Sequence, residues 1–141
     1  MKPPTRIRPY SKTKRARLKS EIKVIFSQII RELCGHKCII CGTHYATQTC
    51  HLLSVGSHPH LFDQVLNALL CCDTHHAHLD YRGNAEQHSA AWAQIKIKAP
   101  RHYAYYQENV NAPIVRRSDV ELRERRDSLK LALDSLKVGD V

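Results

Sequence analysis

Apolar residues recur along the chain at two different periods, and the changes of period mark out its parts. Between residues 11 and 35, Leu18, Ile22, Ile25, Phe26, Ile29, Ile30 and Leu33 keep the three-to-four spacing that lines up one face of a helix. The spacing predicts a helix over 11–35, opened by Ser11 as a hydroxyl cap and ended by Gly35 in a left-handed conformation. Residues 43–53 and 66–71 are short runs rich in β-branched and apolar side chains. They predict the two strands of a hairpin around a polar loop, 54–60, that holds Gly56 and Pro59. A short helix is expected to open at residues 72–75 and to break at Tyr81-Arg82-Gly83-Asn84. Helical spacing returns over 86–97, with Trp92 and Ile95, and Pro100 stops it. Residues 101–113 keep no single period, and Tyr103, Tyr105 and Tyr106 are expected as partial core rather than as base-stacking platforms. Ser118-Asp119-Val120-Glu121 has the capping-box pattern and predicts a last helix to about Lys137. Leu122, Leu129, Leu133 and Leu136 form its stripe, which either the N-terminal helix or a second subunit can cover, and Glu121 is spaced to pair with Arg125.

The pattern is therefore α+β. The chain divides into a basic arm (1–10), a basic amphipathic helix (11–35), a central module (36–82) and a helical C-terminal region (83–141) of one globular domain. Charge then narrows the partners. The net charge is +9 with histidine neutral and the pI is near 9.5, which suits a polyanion. Lys12, Lys14, Arg15, Arg17, Lys19 and Lys23 crowd the first half of the N-terminal helix, with Glu21 alone opposing them. A solvated cationic face would account for them; the overall charge favours a surface that tracks nucleic-acid phosphates. No apolar run approaches the ~20 residues of a membrane span, and the first residues lack the features of a secretory signal. The cytoplasm is the expected location, and there six cysteines point to metal or to core packing before disulfides.

Cys38-Ile39-Ile40-Cys41-Gly42 and Cys72-Asp73-Thr74-His75 present two ligand pairs with two-residue spacers, 30 residues apart. Structural zinc takes four thiolate or imidazole ligands in a tetrahedron, and each pair can supply two from one backbone knuckle. Cys38, Cys41, Cys72 and His75 are the expected ligands, because this set keeps both spacers. Cys71, His76 and Cys34 are the competing positions. Cys34, Cys50 and Cys71 are then small core residues.

Around these pairs lie His51, Asn67, His76 and His78. Hydrolysis of a phosphodiester needs an activated water, a counter to developing charge and a proton for the leaving oxygen. A neutral histidine can serve as base, and a bound divalent cation can supply the rest. A buried asparagine amide can orient the base, and a further histidine can anchor the metal. With ten histidines in the chain no single one is remarkable. Their order around the zinc pairs is the signal.

Cys38-x2-Cys41-Gly42, His51, Pro59-x-Leu61-Phe62 and Asn67-x4-Cys72-x2-His75-x2-His78 together resemble the HNH or ββα-metal nucleases, and within them the phage NinG (Rap) recombination proteins. The resemblance spans residues 36–80, about a third of the chain, with a basic N-terminal helix of similar character. It implies a zinc-stabilised ββα-metal fold and DNA cleavage dependent on Mg2+ or Mn2+, with branched recombination intermediates as substrates. By position His51 matches the general base, Asn67 the orienting amide and His78 the last histidine, with His76 in competition. A homodimer is expected, since symmetric cutting needs two centres. The chain departs from the pattern at His75, where a cysteine is usual. Cys50 stands where many of these nucleases place an aspartate, and Leu79 replaces a lysine. That leaves Asp63, Asp73 and Asp80 as the nearby carboxylates. The rival reading is a zinc-containing nucleic-acid-binding protein without catalysis.

Overall fold

A computed structural model describes residues 13–80 and 83–138. The expected arm (1–10), the Ser11 cap, Lys12 and the Tyr81-Arg82 break lie outside them. Helix α1 (Lys14–Leu33) is capped by Thr13, whose hydroxyl accepts from the Ala16 N–H at 3.2 Å. It ends as its sequence predicts. Gly35 takes φ +62°, and the N–H groups of Gly35 and His36 close onto the carbonyls of Glu32 and Arg31, a Schellman ending.

Strands β1 (Thr47–His51) and β2 (Ala68–Cys72) pair antiparallel, with His51 opposite Ala68 and Thr47 opposite Cys72. They are shorter than the predicted runs. The chain between them turns through brief 3-10 segments at Pro59–Leu61 and Val65–Asn67. Helix α2 (Asp73–Leu79) leaves β2 directly, α3 (Ala85–Lys98) starts from an Asn84–Gln87 capping box, and α4 (Pro100–Asn109) starts from Pro100. The proline does stop α3, as expected, and it also opens a helix in the stretch whose sequence shows no period. All three of its tyrosines are half-buried there. Helix α5 (Asp119–Val138) begins with the expected box: Ser118 Oγ accepts from the Glu121 N–H, and the Glu121 carboxylate accepts from the Ser118 N–H.

Every residue of β2 is buried, because the strand has a core on each face. Ala68 and Leu70 point to Phe26 and Ile30 of α1. Leu69 and Cys71 point to the opposite cluster, with Cys50, Ala91 and Ile95. The free thiols of Cys50 and Cys71 pack as expected of small core residues. A third cluster joins Leu18, Ile22 and Ile29 of α1 to Leu122, Leu129 and Leu133 of α5. The C-terminal leucine stripe is therefore covered by α1 of the same chain. One expected pair is corrected: Glu121 is engaged by the cap, and Arg125 instead reaches Asp63. Among the described residues no helix is long and apolar enough to cross a membrane.

Candidate functional site

The first ligand pair sits on a tight knuckle. Gly42, at φ +74°, donates its N–H to the Cys38 carbonyl at 2.9 Å, and the Ile39 N–H ties the knuckle to Leu70 of β2. The Lys98 ammonium holds it from α3 through the Ile40 carbonyl. Cys72 caps α2, so His75, one turn on, projects toward the same point. Cys41 Sγ lies 3.8 Å from Cys72 Sγ; His75 Nδ1 lies 3.7 Å from Cys38 Sγ and 3.3 Å from Cys72 Sγ. A tetrahedron with metal–sulfur bonds of about 2.3 Å has edges of about 3.8 Å. The four ligand atoms all lie within 4.8 Å of one another, so this cluster can hold a structural zinc. Of the competing ligands, Cys71 faces the core, Cys34 packs beneath it, and neither belongs to the group.

Local electrostatics suit that role. Burial opposes the Cys38 thiolate, but the N–H groups of Cys41, Cys72 and Ile40 outweigh it and bring the thiol below its ordinary value. Burial and the neighbouring sulfurs push Cys72 the other way, a repulsion that a dication relieves. Burial, then His78 and Lys98, lowers His75 and favours the neutral ring a metal requires.

His51 closes β1 and lines a cavity of about 800 Å³ with Leu53, Ser54, Ser57 and Asp80. Its Nε2 meets the Phe62 carbonyl at 2.7 Å. A carbonyl only accepts, so Nε2 carries the proton and the neutral ring has its lone pair on Nδ1. Burial lowers the His51 pKa; the Phe62 carbonyl raises it, His76 and Lys23 lower it, and Asp63 raises it slightly.

Asn67 acts differently from the sequence expectation. Its Oδ1 accepts from the Leu53 N–H at 2.8 Å, and its Nδ2 donates to the carbonyls of Leu53 and Leu61. This fully buried amide pins both ends of the loop between the strands, and the Phe62 carbonyl, not the Asn67 side chain, orients His51. The physical reason is the loop itself, whose main-chain groups would otherwise be buried unpaired.

The structure also separates the two competing histidines. His78 packs edge-on against His75, ring centres 5.6 Å apart, on the side of the sulfur cluster. His76 is the one whose charge His51 feels, and it pairs with Asp80 at 3.0 Å and reaches the Cys50 thiol. Of the three carboxylates, Asp73 is exposed and accepts from Gln48, and Asp80 shares the His51 cavity. Asp63 is fully buried between Arg117 and Arg125. Its partners lie 54 and 62 residues away, a separation no local pattern reveals.

The expected cationic row also divides. Arg15, Lys19 and Lys23, four residues apart, share one face of α1, whereas Lys14 and Arg17 are exposed off that row. Arg116 and Arg117, absent from the sequence expectation, meet that face from the segment before α5. Comparison with protein-family models, with curated proteins and with solved structures finds no match.

Proposed function

We propose that the chain is a metal-dependent DNA endonuclease of the ββα-metal (HNH) kind, with branched DNA as its preferred substrate. One observation carries the reading: a half-buried histidine at the end of β1, held as the Nε2–H tautomer, faces a cavity shared with the Asp80 carboxylate that pairs with His76. In this reading His51 Nδ1 takes the proton of the attacking water, and burial keeps the ring neutral for that task near neutral pH. Asn67 positions the base at one remove, by fixing the loop whose Phe62 carbonyl grips the ring. His76 and Asp80 would hold Mg2+ or Mn2+, whose chemistry is to neutralise charge on the phosphate and acidify bound water. The strand–strand–helix order, built on the sulfur cluster, supports the fold assignment.

A second reading is binding to nucleic acid without cleavage. It draws on the fact that, among the described residues, the sulfur cluster is the one group of three or more metal-ligating side chains. Cleavage of labelled duplex, single-stranded, flap and four-way-junction DNA with Mg2+, Mn2+ or EDTA separates the two. The expected result is metal-dependent cutting, strongest on the junction, that falls at least ~100-fold in His51→Ala while zinc content is kept. Binding without cutting by the wild type would overturn the nuclease reading.

A further inference from the structure

The cations of α1 do more than face solvent. A cleft of about 290 Å³ opens between the first turns of α1 and the segment before α5, lined by Arg15, Lys19, His60, Phe62, Arg116 and Arg117. Lys23 lies 5.9 Å and Arg117 5.3 Å from the centre of the Phe62 ring, so the aromatic floor carries cations as well. Five cations thus converge from segments about a hundred residues apart. Two carboxylates answer them: Asp119 pairs with Arg15 at 3.1 Å, and Asp63 with Arg117 at 2.7 Å, the latter shared with Arg125. Lys19, Lys23 and Arg116 have no ion pair among the described residues. A solvated basic face would let these side chains splay apart. Here Arg15, Lys19, Arg116 and Arg117 line one cleft, and the Lys19 pKa is lowered by burial and then by Arg15, Lys23, Arg117 and Arg116. Like charges gathered in a cleft are stabilised when an anion enters it.

We infer that this cleft seats backbone phosphates of a nucleic acid and so delivers the strand to His51. The delivery step rests on the proposed nuclease function, whereas the phosphate site stands on its own cations. The two are physically joined through Phe62, whose ring floors the cleft and whose carbonyl holds the His51 ring at 2.7 Å. Lys23 is felt electrostatically by both Lys19 and His51. The site reads charge and spacing but not bases, as groups that bind phosphates do.

The test is the double variant Lys19→Gln/Arg116→Gln, which removes two cations that hold no ion pair. Arg123→Gln/Lys130→Gln, on the exposed side of α5, removes the same charge elsewhere. Binding to labelled duplex DNA and duplex RNA is followed by fluorescence anisotropy across a salt series, with melting temperature and zinc content checked for each protein. Each phosphate that the protein no longer neutralises makes the plot of log affinity against log salt shallower by about 0.9 on a DNA duplex. The cleft variant is expected to bind about tenfold or more weakly, with a slope shallower by about 1 to 2, while the α5 variant stays near wild type. Such a weakening on DNA, on RNA or on both locates the phosphate site and names its source. Equal behaviour of the two variants on both duplexes would overturn the inference. Cleavage decides the other reading separately: a cleft dependence without any cutting keeps the phosphate site and removes the nuclease, and cutting without the dependence does the reverse.

Discussion

At the scale of single residues, His51 shows how a main-chain carbonyl can set the chemistry of a side chain. The Phe62 oxygen fixes the tautomer, and burial disfavours the imidazolium. His102, half-buried beside the carbonyls of Val65 and Ala68, is also lowered chiefly by burial. For both, the folded state binds a proton less readily than the unfolded chain. Their contribution to stability is therefore complete above the ordinary histidine value of about 6.5 and is lost as pH falls through the lowered folded values. The expected outcome is a melting temperature that declines on acidification below about pH 6.5, with the His51 ring titrating below that value by NMR. A His51 titration at or above the ordinary value would contradict the environment described. The sequence made His51 visible through its place between the ligand pairs. It did not show the carbonyl, because the hydrogen bond runs across a loop of irregular backbone.

Between elements, the buried Asp63 connects three segments: its own loop, the stretch before α5, and α5 itself. Removing one partner of a buried ion pair leaves the others desolvated and unpaired. Here Arg117 and Arg125 keep partial access to water, with side chains 16% and 29% exposed, so Asp63→Ala should cost about 3 kcal/mol. Urea unfolding measures this directly, and a loss under about 0.5 kcal/mol, the range of ordinary surface substitutions, would show that the tie is not structural. Legibility followed the reach of each interaction. The Ser118–Glu121 box and the Gly35 ending are local and were readable from residue types a few positions apart. The Asp63 tie and the helical state of Pro100–Asn109 were not, the first for its span and the second for its mixed His, Tyr and Asn content. The predicted Glu121–Arg125 pair failed because each side chain found a better partner: one at the cap, one in the core.

For the molecule as a whole, the decisive question is how far the sulfur cluster and the α1–α5 pair stand or fall together. Both lean on β2, which has a core on each face. Zinc held by the cluster would brace the entire fold, so chelation or Cys41→Ser should weaken it. With free zinc a thousandfold above its dissociation constant, the bound ion contributes ~4 kcal/mol. Fluorescence of Trp92, the sole tryptophan, reports the side of the cluster, and far-ultraviolet circular dichroism reports chiefly the long helices α1 and α5. The two signals should shift to lower temperature together in the chelated protein. A tryptophan transition well ahead of the helical one would show two independent units.

The same shared strand bears on how the protein is made. Helix α1 leaves the ribosome with its apolar faces complete. Its coverings, Ala68–Cys72 and Asp119–Val138, follow much later in the chain. Until those segments emerge, Phe26 and Ile30 lack their β2 neighbours and Leu18, Ile22 and Ile29 lack the leucines of α5, which leaves the nascent helix open to chaperones and to mispairing with another copy of itself. The same helix carries Lys14, Arg15, Arg17, Lys19 and Lys23, and like-charge repulsion between two such helices opposes that mispairing.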